Sequence, residues 1–212
     1  LGLDENGEEL LVLGGGSNLV VSDAPFPGVV VRDARRDLTV QDQSACGGVT
    51  VEVAAGTNWD DLVAYAVEQE WSGLEALSGI PGTVGAAPVQ NIGAYGREVG
   101  ENLASVRVLD RLTGQVRNLS RAGLELGYRT SILKRSLQGG RPSGGRQWKN
   151  TGRWVVLTAT LQLLEGAQSA PIRYRELARS LGVEVGERAP MVAVREAVLA
   201  LRASKGMVLE PG

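Results

Sequence analysis

Apolar and polar residues alternate most cleanly between Trp154 and Leu163. Val155, Leu157, Ala159, Leu161 and Leu163 fall on one face, and Thr158, Thr160 and Gln162 on the other. That is the period-two pattern of a half-buried strand. Shorter apolar runs at Leu10 to Leu13, Gly28 to Arg32, Leu38 to Gln41 and Val49 to Ala54 are spaced as short strands. Val106 to Asp110 and Val116 to Leu119 predict a hairpin turning at Thr113-Gly114. The period becomes helical at Leu62, Val63, Ala66 and Val67 and holds to about Gln69, with Thr57 and Asp60 in a capping-box pattern before it. Two closing helices are predicted, one over Tyr174 to Leu181 and one opening at Pro190 and running through Val194, Val198 and Leu201. This order gives an α+β fold with no internal repeat. It divides into units at 1–70 and 71–165, with a third unit beginning over 166–212.

One stretch follows neither period. Ser78 to Gly96 reads SGIPGTVGAAPVQNIGAYG, with five glycines and no charged side chain. Most loops are polar because water must satisfy their backbone. This one predicts burial against something large. Gly79, Gly82 and Gly85 recur every three residues and remove Cβ atoms where backbone approaches a partner closely. A flat cofactor ring needs such a surface, and so does a tight crossing of two protein elements. Composition leaves both open.

The totals exclude several classes. With 212 residues, 43% apolar and 22% charged, the chain is long enough for a sizeable core. A net charge of −2 gives no global pull toward nucleic acid or a membrane surface. No apolar run approaches the roughly 18 residues of a membrane span. Histidine is absent, which removes Ser-His-Asp and Cys-His catalysis and His-containing metal sites within these residues. Cys46 is the single cysteine, so neither an internal disulfide nor a Cys-rich metal site is available, and its turn setting reads as an inert thiol. No metal site is expected. The chain opens at Leu1 rather than Met and stops at Pro211-Gly212, so it reads as an excerpt of a longer protein.

Two further segments could carry chemistry. Gly14-Gly15-Gly16-Ser17-Asn18 follows a strand, and backbone amides in such a turn converge on phosphates; a plain turn has the same composition. The dinucleotide fingerprint fails because Leu19 occupies the third glycine position. From Tyr128 to Trp154 there are seven basic residues and no acidic one, namely Arg129, Lys134, Arg135, Arg141, Arg146, Lys149 and Arg153. For Ser136 to Asn150 the favoured reading is a solvated loop, with an anion-attracting lid as the alternative. A nucleic-acid patch is disfavoured, because Trp148 is the lone interleaved aromatic.

LVLGGGSNLVV, AAGTNWDDLV, SGIPGTVGAAPVQNIGAYGREVGE, GYRTSILKR and RASKGMVL occur in this order. In that series the chain resembles the UDP-N-acetylenolpyruvoylglucosamine reductases (MurB), flavoenzymes of peptidoglycan precursor synthesis. The resemblance implies the FAD-binding fold of the vanillyl-alcohol oxidase (PCMH) type, with two FAD-binding subdomains and the beginning of a substrate-binding domain. It implies non-covalent FAD, NADPH as hydride donor and a UDP-N-acetylglucosamine enolpyruvate substrate. It assigns Gly14, Gly15, Gly16, Ser17, Asn18 and Leu19 to the FAD pyrophosphate turn. It assigns Gly56, Ser78, Gly79, Ile80, Pro81, Gly82, Gly85, Ala86, Asn91 and Gly93 to the rest of the cofactor site. Arg129, in a Tyr-Arg-x-Ser motif, takes the catalytic role; a surface arginine is the plainer reading of that residue. Tyr128, Tyr174 and Lys205 are implied to reach the UDP-sugar. Arg175 stands where the family has glycine after the tyrosine.

The implied chemistry passes hydride from NADPH through FAD to C3 of the enolpyruvyl group, with Arg129 stabilising charge on the carboxylate side and an acid protonating C2. The family's acid is a serine in Gly-Ser-Phe-Phe, and a glutamate lies near its C-terminus; neither segment occurs here. The expectation is that these residues alone bind FAD weakly and do not complete turnover. A cytoplasmic monomer without nucleic-acid or membrane partners is expected. The alternatives are another FAD oxidoreductase of the same fold, or a non-catalytic nucleotide- or phosphosugar-binding module.

Overall fold

The computed structural model describes residues 9–44, 48–137 and 152–208. Cys46 and, in the basic stretch, Arg141, Arg146, Trp148 and Lys149 lie outside the described residues. Strands β1 (Glu9–Leu13) and β2 (Gly28–Arg32) pair in parallel as a two-stranded sheet. β3 (Leu38–Ser44) and β4 (Gly48–Ala54) lead into helix α1 (Trp59–Glu68). The two-residue strands β5 (Trp71–Ser72), β6 (Gly93–Ala94) and β7 (Arg97–Glu98) flank the glycine-rich loop. β8 (Leu103–Asp110) and β9 (Gln115–Ser120) form the expected hairpin. Helix α2 (Ile132–Leu137), strand β10 (Trp154–Glu165) and helices α3 (Arg175–Leu181) and α4 (Met191–Ala203) complete the order.

β10 is the axis of the main sheet, whose order is β3-β4-β10-β8-β9, with β5 on the end of β10. All of its pairings are antiparallel. Strands from both sides of residue 70 therefore share this sheet. Its buried face carries Val49, Val51 and Val53 of β4, Val106 and Val108 of β8, and Ala159, Leu161 and Leu163 of β10. Trp59, Leu62, Val63 and Ala66 of α1 belong to the same cluster, on the stripe the helical period predicts.

The alternation along β10 breaks at one place. The register against β8 skips Leu157, so Val156 faces Val108 and Thr158 faces Arg107. This bulge reverses the parity. Trp154 and Val156, rather than Val155 and Leu157, join the core side before Ala159 takes over. The Leu157 carbonyl turns away to accept from the Ala55 amide at 3.0 Å and from Arg35 Nη2 at 3.0 Å.

The start of α1 also differs from expectation. Asn58 is the cap, its Oδ1 accepting from the Asp60 and Asp61 amides at 2.8 and 3.2 Å. Thr57 stays in the preceding turn, where its carbonyl accepts from Val84, and its buried hydroxyl has no protein partner among the described residues. In α4, Pro190 is the cap and Met191 the first helical residue.

Helices α3 and α4 pack around their own small core of Ile172, Leu177, Ala178, Ala189, Val194 and Val198. Polar contacts fasten this unit to the rest. The buried Glu75 carboxylate accepts from the amides of Gly73 and Ala170 at 2.6 and 2.7 Å, and Arg97 Nη2 donates to Pro171 O at 3.0 Å. Among the described residues no helix is long and apolar enough to cross a membrane.

Candidate functional site

A cleft of about 320 Å³ opens between the turn after β1 and the glycine-rich loop. One wall is Gly14 to Leu19, and the facing wall includes Pro81, Gly82, Thr83, Gly85 and Ala86. The two walls meet backbone to backbone. A Cβ on Gly15 would stand 3.0 Å from Gly82 Cα, and one on Gly85 would stand 2.6 Å from Ala55 Cβ. Glycine at 85 permits an approach that a side chain would block, and at 15 one that a side chain would force apart by a few tenths of an ångström. The loop thus crosses a protein segment tightly and also lines a cavity.

Unused donors mark the rim. Among the described residues, none of the backbone amides from Gly15 to Asn18 donates to a protein acceptor. A turn of successive free N–H groups beside a cleft is a receptor for an anion. Deeper in, the lining is apolar: Val89, Ile92, Leu133, Leu137 and Val156, with the indoles of Trp59 and Trp154. Trp59 is fixed by its Nε1 bond to Leu77 O at 3.0 Å, and Trp154 by the Arg153 guanidinium 4.2 Å from its ring centroid. Asp33 and Lys134 are the charged residues of the described lining. Paired hydrogen bonds from Arg35 hold the Asp33 carboxyl below the usual range, against the upward push of burial.

The expected cofactor residues divide into two groups. Gly14, Gly15, Gly16, Ser17, Asn18, Leu19, Gly56, Pro81, Gly82, Gly85 and Ala86 all line the cleft. Ser78, Gly79, Ile80, Asn91 and Gly93 are outside its described lining. Ser78 is fully buried, with its hydroxyl donated to Glu75 O at 2.7 Å. The Gly79 amide donates to Asp60 Oδ1 at 2.6 Å, and the residue faces Leu199 and Arg202 of α4. Asn91 spends its amide within the protein, accepting from Gly100 N and donating to Glu98 Oε2 and Gly127 O.

Those contacts hold a second group of functional candidates. Arg129 sits in the left-handed region at φ 54° and donates from Nη2 to Gly93 O at 2.7 Å. Tyr128, 84% exposed, lies beneath the same guanidinium at 5.8 Å. Two residues beyond Gly93, Tyr95 meets Tyr174 edge to face with centroids 5.6 Å apart. Lys205 lies close enough to bear on both tyrosines, and its Nζ pairs with Glu176 Oε2 at 2.5 Å. That bond raises the lysine's pKa, so it is a full cation at neutral pH. Burial raises the Tyr95 hydroxyl above its ordinary value. The chain therefore brings Tyr174, Lys205 and the Arg129 loop together around the Gly93–Tyr95 turn. Tyr95 and Glu176 were not named from the sequence, and Lys134 and Trp154 were read only as part of a basic stretch and a strand; the parity change at Leu157 hid the orientation of Trp154, and the others lay inside segments whose geometry is set by partners distant in the chain.

Comparison with known proteins adds three findings. Residues 3–120 match the family described as FAD binding domain. The chain is 51% identical over 208 residues to UDP-N-acetylenolpyruvoylglucosamine reductase of Cutibacterium acnes, covering 98% of this chain and 51% of that protein. It is 49% identical over 206 residues to the protein of the same name from Salinispora arenicola, covering 97% and 52%. The chain thus spans about half the length of these curated relatives. Among solved structures it is similar to MurB from Thermus caldophilus, with a TM-score of 0.57, 26% identity and coverage of 97% of this chain and 58% of that one. A solvent-stable cholesterol oxidase shares the fold, with a TM-score of 0.51 at 17% identity over 86% of this chain and 36% of that one.

Proposed function

Because this chain belongs to the FAD binding domain family, we propose that the cleft holds FAD non-covalently and that the protein acts as a UDP-N-acetylenolpyruvoylglucosamine reductase. The relatives at about 50% identity support the activity. The residues present fit the cofactor. The free amides from Gly15 to Asn18 suit a pyrophosphate, and the Gly15–Gly82 approach leaves glycine backbone where a flat ring needs close contact.

When bound, FAD supplies hydride acceptance from a nicotinamide donor, NADPH by resemblance, and hydride delivery to the enolpyruvyl carbon. The rest is the work of this chain's side chains and backbone. Gly15 to Asn18 anchor the cofactor's charged centre. Pro81, Gly82, Gly85 and Ala86 shape the wall beside it, and Ser78, Gly79, Asn91 and Gly93 brace that wall from behind. Trp59, Val89, Ile92 and Trp154 keep water from it. Arg129 binds the substrate carboxylate and stabilises charge that develops there, which makes the far carbon of the double bond electrophilic. Tyr128 and Tyr174 contact the UDP-sugar. Lys205 exchanges Glu176 for the diphosphate, as a compact cation suits. The sequence holds no Gly-Ser-Phe-Phe, so no residue here is assigned the final protonation. Both proposed substrates place the reaction in the cytoplasm, in peptidoglycan precursor synthesis.

The observation that carries this reading is the row of free amides facing the glycine loop across an apolar cleft. Titrating the full polypeptide that carries this chain with FAD tests it. Binding at one FAD per chain is expected, with quenching of tryptophan emission that Trp154→Phe reduces but does not abolish, because Trp59 also lines the cleft. A protein that stays colourless and unquenched overturns the reading.

A further inference from the structure

Lys134 is the cation of the described cleft lining, and its Nζ donates to the Arg129 carbonyl at 2.9 Å. The side chain thus folds back from α2 onto the residue proposed to act on substrate. That residue needs holding. Arg129 is not glycine, yet it has φ 54°, a conformation that persists only where the surroundings over-determine it. The rest of its loop is pinned to the glycine-rich loop. Asn91 Nδ2 donates to Gly127 O at 3.1 Å, Ser131 Oγ donates to Val89 O at 2.5 Å, and Gly127 and Thr130 exchange backbone bonds at 3.1 Å. These contacts fix the loop on either side of Arg129. The Arg129–Thr130 peptide is held from both sides, its N–H by the Gly127 carbonyl at 3.1 Å and its carbonyl by Lys134.

The geometry points to Lys134 as the positioning residue that keeps Arg129 in its left-handed conformation. An ammonium has three donors, and the Arg129 carbonyl takes one. This role rests on the reading of Arg129 as the catalytic residue.

The test compares Lys134→Met and Lys134→Arg with the unmodified protein, each in the full polypeptide that carries this chain and loaded with FAD. Four quantities are measured: amide exchange at Gly127 and Thr130, FAD affinity, and kcat and KM for the enolpyruvyl UDP-sugar. For Lys134→Met, exchange at these two amides rises about tenfold as the loop opens locally. Its kcat falls about 10- to 100-fold, the scale of a misplaced catalytic group, while KM and FAD affinity stay within about threefold. Lys134→Arg, which keeps a cation, restores both exchange protection and most of kcat. Unchanged exchange and kcat in Lys134→Met overturn the role. So does a loss confined to FAD affinity, which makes Lys134 a cofactor ligand instead. Exchange is read without turnover, so an unmodified protein that fails to reduce the UDP-sugar contradicts the proposed function and leaves the clamp independently tested.

Discussion

Asp60 and Arg195 form a two-point ion pair, Nη1 to Oδ1 at 2.7 Å and Nη2 to Oδ2 at 2.8 Å, between residues 135 positions apart. Asp60 lies in the first turn of α1 and Arg195 on α4, and Asp60 Oδ1 also receives the Gly79 amide. One carboxylate thereby ties the C-terminal helical unit to the glycine-rich loop. Asp60→Asn is expected to cost about 1–2 kcal/mol, since charge-assisted bonds are each worth more than neutral ones and this pair is only partly exposed. Arg195→Met in the Asp60→Asn background adds less than it does alone, because both changes remove one interaction. Denaturant unfolding of the two single variants and the double variant checks the coupling. Fully additive losses contradict it.

Acid should loosen the same tie. Burial pushes the Asp60 carboxyl up, but the bonds from Arg195 and the Gly79 amide outweigh it and the net shift is downward. Asp110 behaves alike: it is buried, and Arg153 Nε and Nη2 reach it at 2.7 and 2.6 Å. A carboxyl whose folded pKa is depressed contributes stability above its unfolded value, about 3.9, and loses it as pH falls through the folded value. Tm is expected to be nearly flat from neutral pH to about pH 5 and to drop below about pH 4. Asp110→Asn flattens that drop and lowers Tm at neutral pH, with a cost of about 3 kcal/mol for leaving Arg153 unpaired. A pH series of thermal melts on both proteins decides it.

Gly15 was legible in the sequence as part of a phosphate-type turn, but its nearness to Gly82 was not, because the two are brought together only by the fold. Gly15→Ala places a methyl 3.0 Å from Gly82 Cα and is expected to weaken FAD binding at least tenfold, as backbone must shift at the cleft mouth. Equilibrium titration with FAD measures it, and an unchanged affinity contradicts the proposed seat of the cofactor.

Arg129→Lys keeps charge and loses the planar fork. Loss of an electrostatic contact made in the transition state costs about 10²–10³-fold in kcat. FAD affinity is expected to be unchanged, because the guanidinium is bonded to Gly93 O and outside the described lining of the cleft. Steady-state kinetics and a flavin titration on one preparation separate the two effects.

The strands and helices were readable because burial imposes a period. β10, the β8–β9 hairpin and the buried stripe of α1 follow directly from alternating or helical apolar positions. The bulge at Leu157 was not, since an inserted residue leaves apolar residues on both sides of the parity change. Capping went to Asn58 because the Thr57 backbone is still engaged in the preceding turn, a choice that two adjacent cap-forming residues leave open. In the site, the motifs located the glycine segments and Arg129. They did not reveal that Ser78, Gly79 and Asn91 turn their polar groups into the protein, because a motif records which residues are present and not which way a buried loop faces.

The central claim is that this cleft carries a flavin that passes hydride to an enolpyruvyl UDP-sugar. The most direct test is an anaerobic titration of the FAD-loaded full polypeptide followed by visible absorbance. NADPH is expected to bleach the flavin band, and stoichiometric UDP-N-acetylglucosamine enolpyruvate to restore it without oxygen. A reduced protein whose colour does not return on adding that substrate, or one that cannot be loaded with FAD, contradicts the account.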